Sequence, residues 1–152
     1  MAETFNNYLK KITSGDVETN VETIIIPYAK NAFNSNDSTR SEGSTAQVHS
    51  LYITQVYETR KDGKSRYDET SFKHVDLYIE TTSGGKYYLG HDILIVPGSS
   101  YFFEKNITLS PEQRLCICIP TGNFTTTTGS SYNNTSDLNI HVTASTVEFT
   151  ND

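Results

Sequence analysis

The stretch from Phe72 to Thr82 alternates without a break. Val75, Leu77 and Ile79 fall on one parity and His74, Asp76, Tyr78 and Glu80 on the other. A period of two is the signature of a strand with one face on a core and the other toward solvent, and no helix can segregate those residues. Ser83-Gly84-Gly85 then supplies a turn. A second strand follows over Lys86 to Val96, with Tyr87, Leu89, Ile93 and Ile95 in phase, and it stops at Pro97-Gly98. Each strand of such a hairpin must bury an apolar face, so more sheet has to be found in the chain.

The remaining sequence supplies it. Residues 21 to 27, VETIIIP, place three β-branched side chains before a proline, as in a strand covered on both faces and then stopped. Gln47 to Thr59 reads as a long strand, but its apolar parity changes between Val48 and Leu51 and again between Ile53 and Val56. A bulge is the simplest explanation. Further strands are expected over Tyr101 to Leu109, Gln113 to Ile119 and Leu138 to Phe149, the last with Leu138, Ile140, Val142 and Ala144 in phase. Thr, Ser and Asn make up about a third of the chain while Ala and Leu are scarce, which disfavours helices.

Three segments lack this pattern. Residues 30 to 45 are polar and aperiodic. Residues 58 to 71 carry four basic and four acidic side chains around Lys61-Asp62-Gly63-Lys64 and read as an exposed hairpin tip or inserted loop. Thr121 to Asp137 is a threonine- and asparagine-rich connector, expected to be either solvated or ordered on a neighbouring subunit. At the amino terminus, Phe5, Tyr8, Leu9 and Ile12 are spaced by three, one and three, which fits one face of a short helix ending at Gly15. The expected architecture is all-β: an antiparallel β-sandwich or jelly-roll-like domain of seven to eight strands over residues 16–152, preceded by an arm or short helix over 1–15.

The 152 residues, 17.0 kDa, form one domain of ordinary size. Their net charge of −6 repels phosphate backbones and anionic lipid, so neither nucleic acid nor membrane is an expected partner. No stretch approaches the roughly 18 apolar residues of a membrane span, and MAETFNNYLKK lacks the apolar core of a signal peptide. Sequons begin at Asn36, Asn106, Asn123, Asn133 and Asn134, read here as by-products of composition.

Chemistry is sparse. His49, His74, His91 and His141 show no metal-ligand spacing, and no metal or other cofactor is expected. Cys116 and Cys118 leave one face of a strand with roughly parallel Cβ vectors, a poor geometry for a disulfide, and read as small packing residues. No nucleophile elbow, P-loop or dinucleotide fingerprint occurs, and no catalytic residue is assigned. Tyrosines 52, 57, 78, 87, 88 and 101 lie on expected strands, where they serve cross-strand pairing or an interaction face.

The order of segments resembles a group of small structural proteins of tailed bacteriophages, especially those infecting cyanobacteria and other marine bacteria. The resemblance runs through MAETFNNYL at the start, Ile24-Ile25-Ile26-Pro27, Ser50 to Val56, Tyr87-Tyr88-Leu89 and Val96-Pro97-Gly98-Ser99-Ser100. It continues through Leu109 to Leu115 and Val142-Thr143-Ala144-Ser145. The loops at 30 to 45, 58 to 71 and 121 to 137 are longer than usual for that group. The resemblance implies a non-enzymatic virion component, located in the virus particle, with other virion proteins and copies of itself, as a homo-oligomer, as expected partners. The apolar side chains of Phe5, Tyr8, Leu9 and Ile12 offer an anchor for a neighbouring subunit. A carbohydrate- or receptor-binding module of a fibre, with a glycan as partner, is the alternative.

Overall fold

In the computed structural model, which describes residues 2–13, 15, 18–56, 65 and 68–150, β structure dominates. The strands are β1 (Ala2–Ile12), β2 (Val21–Ile26), β3 (Thr45–Gln55), β4 (Lys73–Thr81), β5 (Lys86–Ile95), β6 (Ser100–Phe102), β7 (Ile107–Leu109), β8 (Gln113–Ile119), β9 (Asn123–Thr125), β10 (Ser131–Asn133) and β11 (Ile140–Thr150). One turn of 3₁₀ helix spans Glu69–Ser71, capped by Asp68, whose carboxylate accepts from the Thr70 amide at 2.9 Å.

Two antiparallel sheets stack face to face. The first has the order β1-β11-β3-β6, with β7 also on β3; the second has the order β2-β8-β4-β5. If β6 and β7 are counted as one strand interrupted at 103–106 and the separate β9–β10 hairpin is set aside, the eight remaining strands pair in a nest: first with eighth, second with seventh, third with sixth, and fourth with fifth. That nesting is the jelly roll. The inner faces meet in one core, built by Ile12, Leu51, Ile53, Ile140 and Val142 from the first sheet and Ile25, Val75, Leu77, Leu115, Ile117 and Ile119 from the second. Val75 and Leu77 are among the residues whose alternation in the sequence set them on one face.

The amino terminus departs from expectation. Residues 2–12 are not a helix; they form the edge strand β1, paired along its whole length with β11 from Ala2↔Thr150 to Ile12↔Ile140. An isolated helix this short is marginal in water, and Asn6, Asn7 and Thr4 favour it little, whereas pairing gives an eleven-residue ladder. The spacing that suggested one apolar face is split in two by a period of two. Tyr8 and Ile12 turn into the core, at 7% and 5% exposure, and Phe5 and Leu9 turn outward, at 76% and 71%.

Bulges account for the other irregularities. Ser145 opposes Ser50 and Thr146 opposes Val48, so His49 is the extra residue that reverses parity between Val48 and Leu51. The second parity change needs no bulge, because β3 ends at Gln55, before Val56. In β5 the expected in-phase run is broken opposite Asp76, where Val75↔Ile93 is followed by Leu77↔Gly90. Asp92 takes a left-handed φ of 56° there, and its amide is held by the Asp76 carboxylate at 2.8 Å. The expected turn at Lys61–Lys64 lies outside the described residues.

Two buried polar anchors organise the long loops. Arg40, fully buried, belongs to the segment that read as featureless. Its Nη1 donates to the carbonyls of Pro27 and Gln113, each at 2.8 Å, and its Nη2 to those of Ser44, Leu109 and Ser110 at 2.8, 3.3 and 3.0 Å. One guanidinium thus joins the end of β2, the start of β3 and the β7–β8 turn, using the rigid donor fork that only arginine has. Asn134, also fully buried, does the same for the 121–137 segment. It accepts from the His74 amide at 2.7 Å and donates to the carbonyls of His74 and Pro120 at 2.8 and 2.9 Å. Its burial also removes it as a glycan acceptor. Phe124 and Tyr132 of the β9–β10 hairpin stack near His74, with Phe124 ring to imidazole at 4.1 Å. The connector is therefore ordered on its own domain.

Arg40→Met should cost about 3–5 kcal/mol in urea unfolding, because it strands buried carbonyls; Arg40→Lys should recover only part of that, since an ammonium cannot span five acceptors. Asn134→Ala should cost about 2–3 kcal/mol by the same measurement.

Candidate interaction surface

β1 lies on the rim of the first sheet, where β11 alone pairs with it among the described residues. It is fastened from below by a buried carboxylate. Glu148, 2% exposed, accepts from Tyr8 Oη at 2.8 Å, Asn6 Nδ2 at 2.9 Å and Thr146 Oγ1 at 2.5 Å. The charge of Arg40 acts in the same region and compensates that carboxylate in the interior. Burial pushes the Tyr8 phenol up to about 12, with the neighbouring Glu148 adding to the shift.

Above this network, the outward side of the sheet carries four exposed large apolar side chains, Phe5, Leu9, Tyr52 and Phe102, among polar ones. Leu9 opposes Thr143, Thr143 opposes Tyr52 and Tyr52 opposes Phe102, so one row crosses four strands. Tyr52 and Phe102 stack at 4.8 Å with each 42% exposed. Phe5 sits opposite Val147, beside a shallow hollow of about 250 Å³ that also touches His49, the bulged residue. Along residues 6–10 of β1 runs a second, half-open hollow of about 580 Å³, bounded by Ile24, Tyr28, Arg114 and residues 33–39. Of the four residues expected to bind a partner, the structure places Phe5 and Leu9 on this surface and commits Tyr8 and Ile12 to the core.

The outward face of the second sheet is different: it is laced with polar contacts. Glu22 accepts from Lys86 at 2.9 Å and Tyr78 Oη at 3.0 Å, and Arg114 is paired with Glu80. Cys116 and Cys118 lie under this layer against Tyr78, both free, and burial pushes each thiol up to about 11. They are protonated at neutral pH and therefore poor nucleophiles. Tyr78 is raised as well, chiefly by burial.

The remaining ionisable cluster sits at the β5 bulge. His74 Nδ1 lies 2.8 Å from Asp92, His91 Nδ1 2.9 Å from Asp76, and His74 Nε2 2.9 Å from Tyr132 Oη. Each contact satisfies a neighbour, and among the described residues no three His, Cys, Asp or Glu side chains are arranged to hold a metal ion. The sequence reading missed Arg40, Glu148 and Asn134, because a polar residue in a loop or on a strand end carries no periodic signal of burial.

No protein-family model and no curated protein matches the chain. Among solved structures, it is similar to one described as infectious bursal disease virus, Gx strain, at 9% identity with a TM-score of 0.37, covering 96% of this chain and 38% of that one. It is similar also to the Gt strain structure, at 9% identity with a TM-score of 0.35, covering 97% and 40%. The chain thus spans about two fifths of the length of either, and scores this low carry no argument about its role.

Stability should fall at alkaline pH. Tyr8, Cys116 and Cys118 have folded pKa values above their ordinary ones of 10.0, 9.0 and 9.0. Their contribution is complete below the ordinary values and is lost as pH rises through the folded ones, so the unfolding free energy should decline from about pH 9 to about pH 12. Urea titrations across that range, read with tyrosinate absorbance, test this.

Proposed function

We propose that this chain is a non-enzymatic structural subunit of a virus particle, and specifically of a tailed bacteriophage. The observation that carries the reading is the combination of a jelly roll with an edge strand that exposes Phe5 and Leu9, while the clustered ionisable groups among the described residues, Arg40 with Glu148 and His74 and His91 with Asp92 and Asp76, are engaged in structural contacts. Jelly rolls recur in viral capsid and lectin domains, an analogy at the level of fold that raises the expectation and does not replace a site. The resemblance of MAETFNNYL, Tyr87-Tyr88-Leu89 and Val96-Pro97-Gly98-Ser99-Ser100 to tailed-phage structural proteins supports the narrower form. Its place is in the virion, and its partners are other virion proteins and copies of itself.

Quantitative mass spectrometry of density-purified particles of the virus encoding this gene should find the chain at a fixed ratio to other particle proteins. Recovery only from the soluble fraction of the lysate would overturn the proposal.

The exposed Tyr52–Phe102 stack favours a second reading, a glycan-binding module, because sugar rings pack on such aromatic platforms. A glycan array decides between them: binding that is lost in Phe102→Ala supports the module, and silence across the array removes it.

A further inference from the structure

We propose that two copies of this chain pair through β1, edge to edge and antiparallel, about a two-fold axis at Asn7. This deepens the structural role proposed above by naming the partner, but it stands on the strand alone. β1 runs from Ala2 to Ile12, so its midpoint is Asn7. Antiparallel pairing about that point sets Glu3 against Lys11 and Phe5 against Leu9 of the second copy, each pair occurring twice, and Asn7 against Asn7 once, on the axis. Glu3, Phe5, Asn7, Leu9 and Lys11 are all exposed and share the outward parity of the strand. Their order reads acid, apolar, amide, apolar, base. It is chemically complementary to its own reverse, which is what an isologous two-fold contact requires.

The same order rejects the alternative. Parallel pairing in register would set Glu3 on Glu3 and Lys11 on Lys11, and like charges directly opposite are destabilising. Phe5 and Leu9, 76% and 71% exposed, gain an apolar partner in either arrangement, so it is the charges of Glu3 and Lys11 that select the antiparallel one. Beside residues 6–10 the strand borders a half-open hollow of about 580 Å³, whose other walls are Ile24, Tyr28, Arg114 and side chains from 33–39, and among the described residues no strand pairs with that side. A row of unpaired backbone amides and carbonyls on such a rim is a template for another strand. The product is one continuous sheet in which β11-β1 of one copy meets β1-β11 of the other. Lysines are also a common guard against edge pairing. Under that reading Lys10 and Lys11 would keep the chain monomeric, and charge reversal of Glu3 would change nothing.

The test uses the full chain in sedimentation equilibrium. A reversible dimer is expected, with Glu3→Lys and Lys11→Glu each weakening it by more than tenfold and the double variant Glu3→Lys/Lys11→Glu restoring it. Register is read by cross-linking. Asn7→Cys should form a disulfide-linked dimer under mild oxidation, because the two copies of residue 7 face each other, and Leu9→Cys should not, because residue 9 faces residue 5. The native thiols are buried and do not compete. Circular dichroism establishes that each variant folds. A wild-type chain that stays monomeric up to about 1 mM overturns the inference, as does failure of the double variant to restore association, or cross-linking of Leu9→Cys as fast as Asn7→Cys. None of these outcomes bears on particle incorporation, so the two proposals fail separately.

Discussion

Everything in the long-loop half of the molecule hangs on the guanidinium of Arg40. A jelly roll leaves its strand ends and crossovers at the rims of the sandwich, where backbone carbonyls turn inward without a ladder partner. Pro27, Ser44, Leu109, Ser110 and Gln113 are five such residues, and one side chain satisfies them all. Burying a charge is costly, and here its stabilisation comes from that ring of acceptors together with the buried carboxylate of Glu148. Glu148 in turn holds Tyr8 and Asn6, and through them β1. The outermost strand is therefore linked, through Glu148 and the charge of Arg40, to the loop that borders it at residues 33–40.

The nested pairing has a kinetic meaning. β1 meets β11 across nearly the whole sequence, and β2 meets β8 across most of it, so the strands most distant in the chain are the ones that must find each other. Among the described residues, only β4–β5 and the small β9–β10 pair form local hairpins. Topologies dominated by long-range contacts fold slowly, because closure entropy is spent before the contacts that offset it are made. β1 and β11, far apart in sequence, close the roll together.

The two outward faces differ in how their polar groups are held. On the second sheet Glu22, Lys86, Glu80 and Arg114 pair over Tyr78 and the two thiols, while Ile24, Tyr88 and Leu94 stay exposed. On the first sheet the exposed Phe5, Leu9, Tyr52 and Phe102 stand among polar side chains such as Gln47, His49 and Thr143.

The alternation of Val75, Leu77 and Ile79, the apolar odd positions of β8 and the reversal of parity around His49 were all legible in the primary structure, because a strand's side chains obey a period of two whatever it pairs with. So were the all-β class and the stacking of two sheets. The short amino-terminal segment was not: Phe5, Tyr8, Leu9 and Ile12 satisfy a helical stripe as well as they satisfy two faces of a strand, and only the presence of β11 alongside decides between them. Nor was the core role of Arg40, Asn134 and Glu148, since the burial of a polar side chain depends on which distant carbonyls and donors the fold delivers to it. Local pattern determined which residues turn inward; the nesting of remote strands determined which edge was left open.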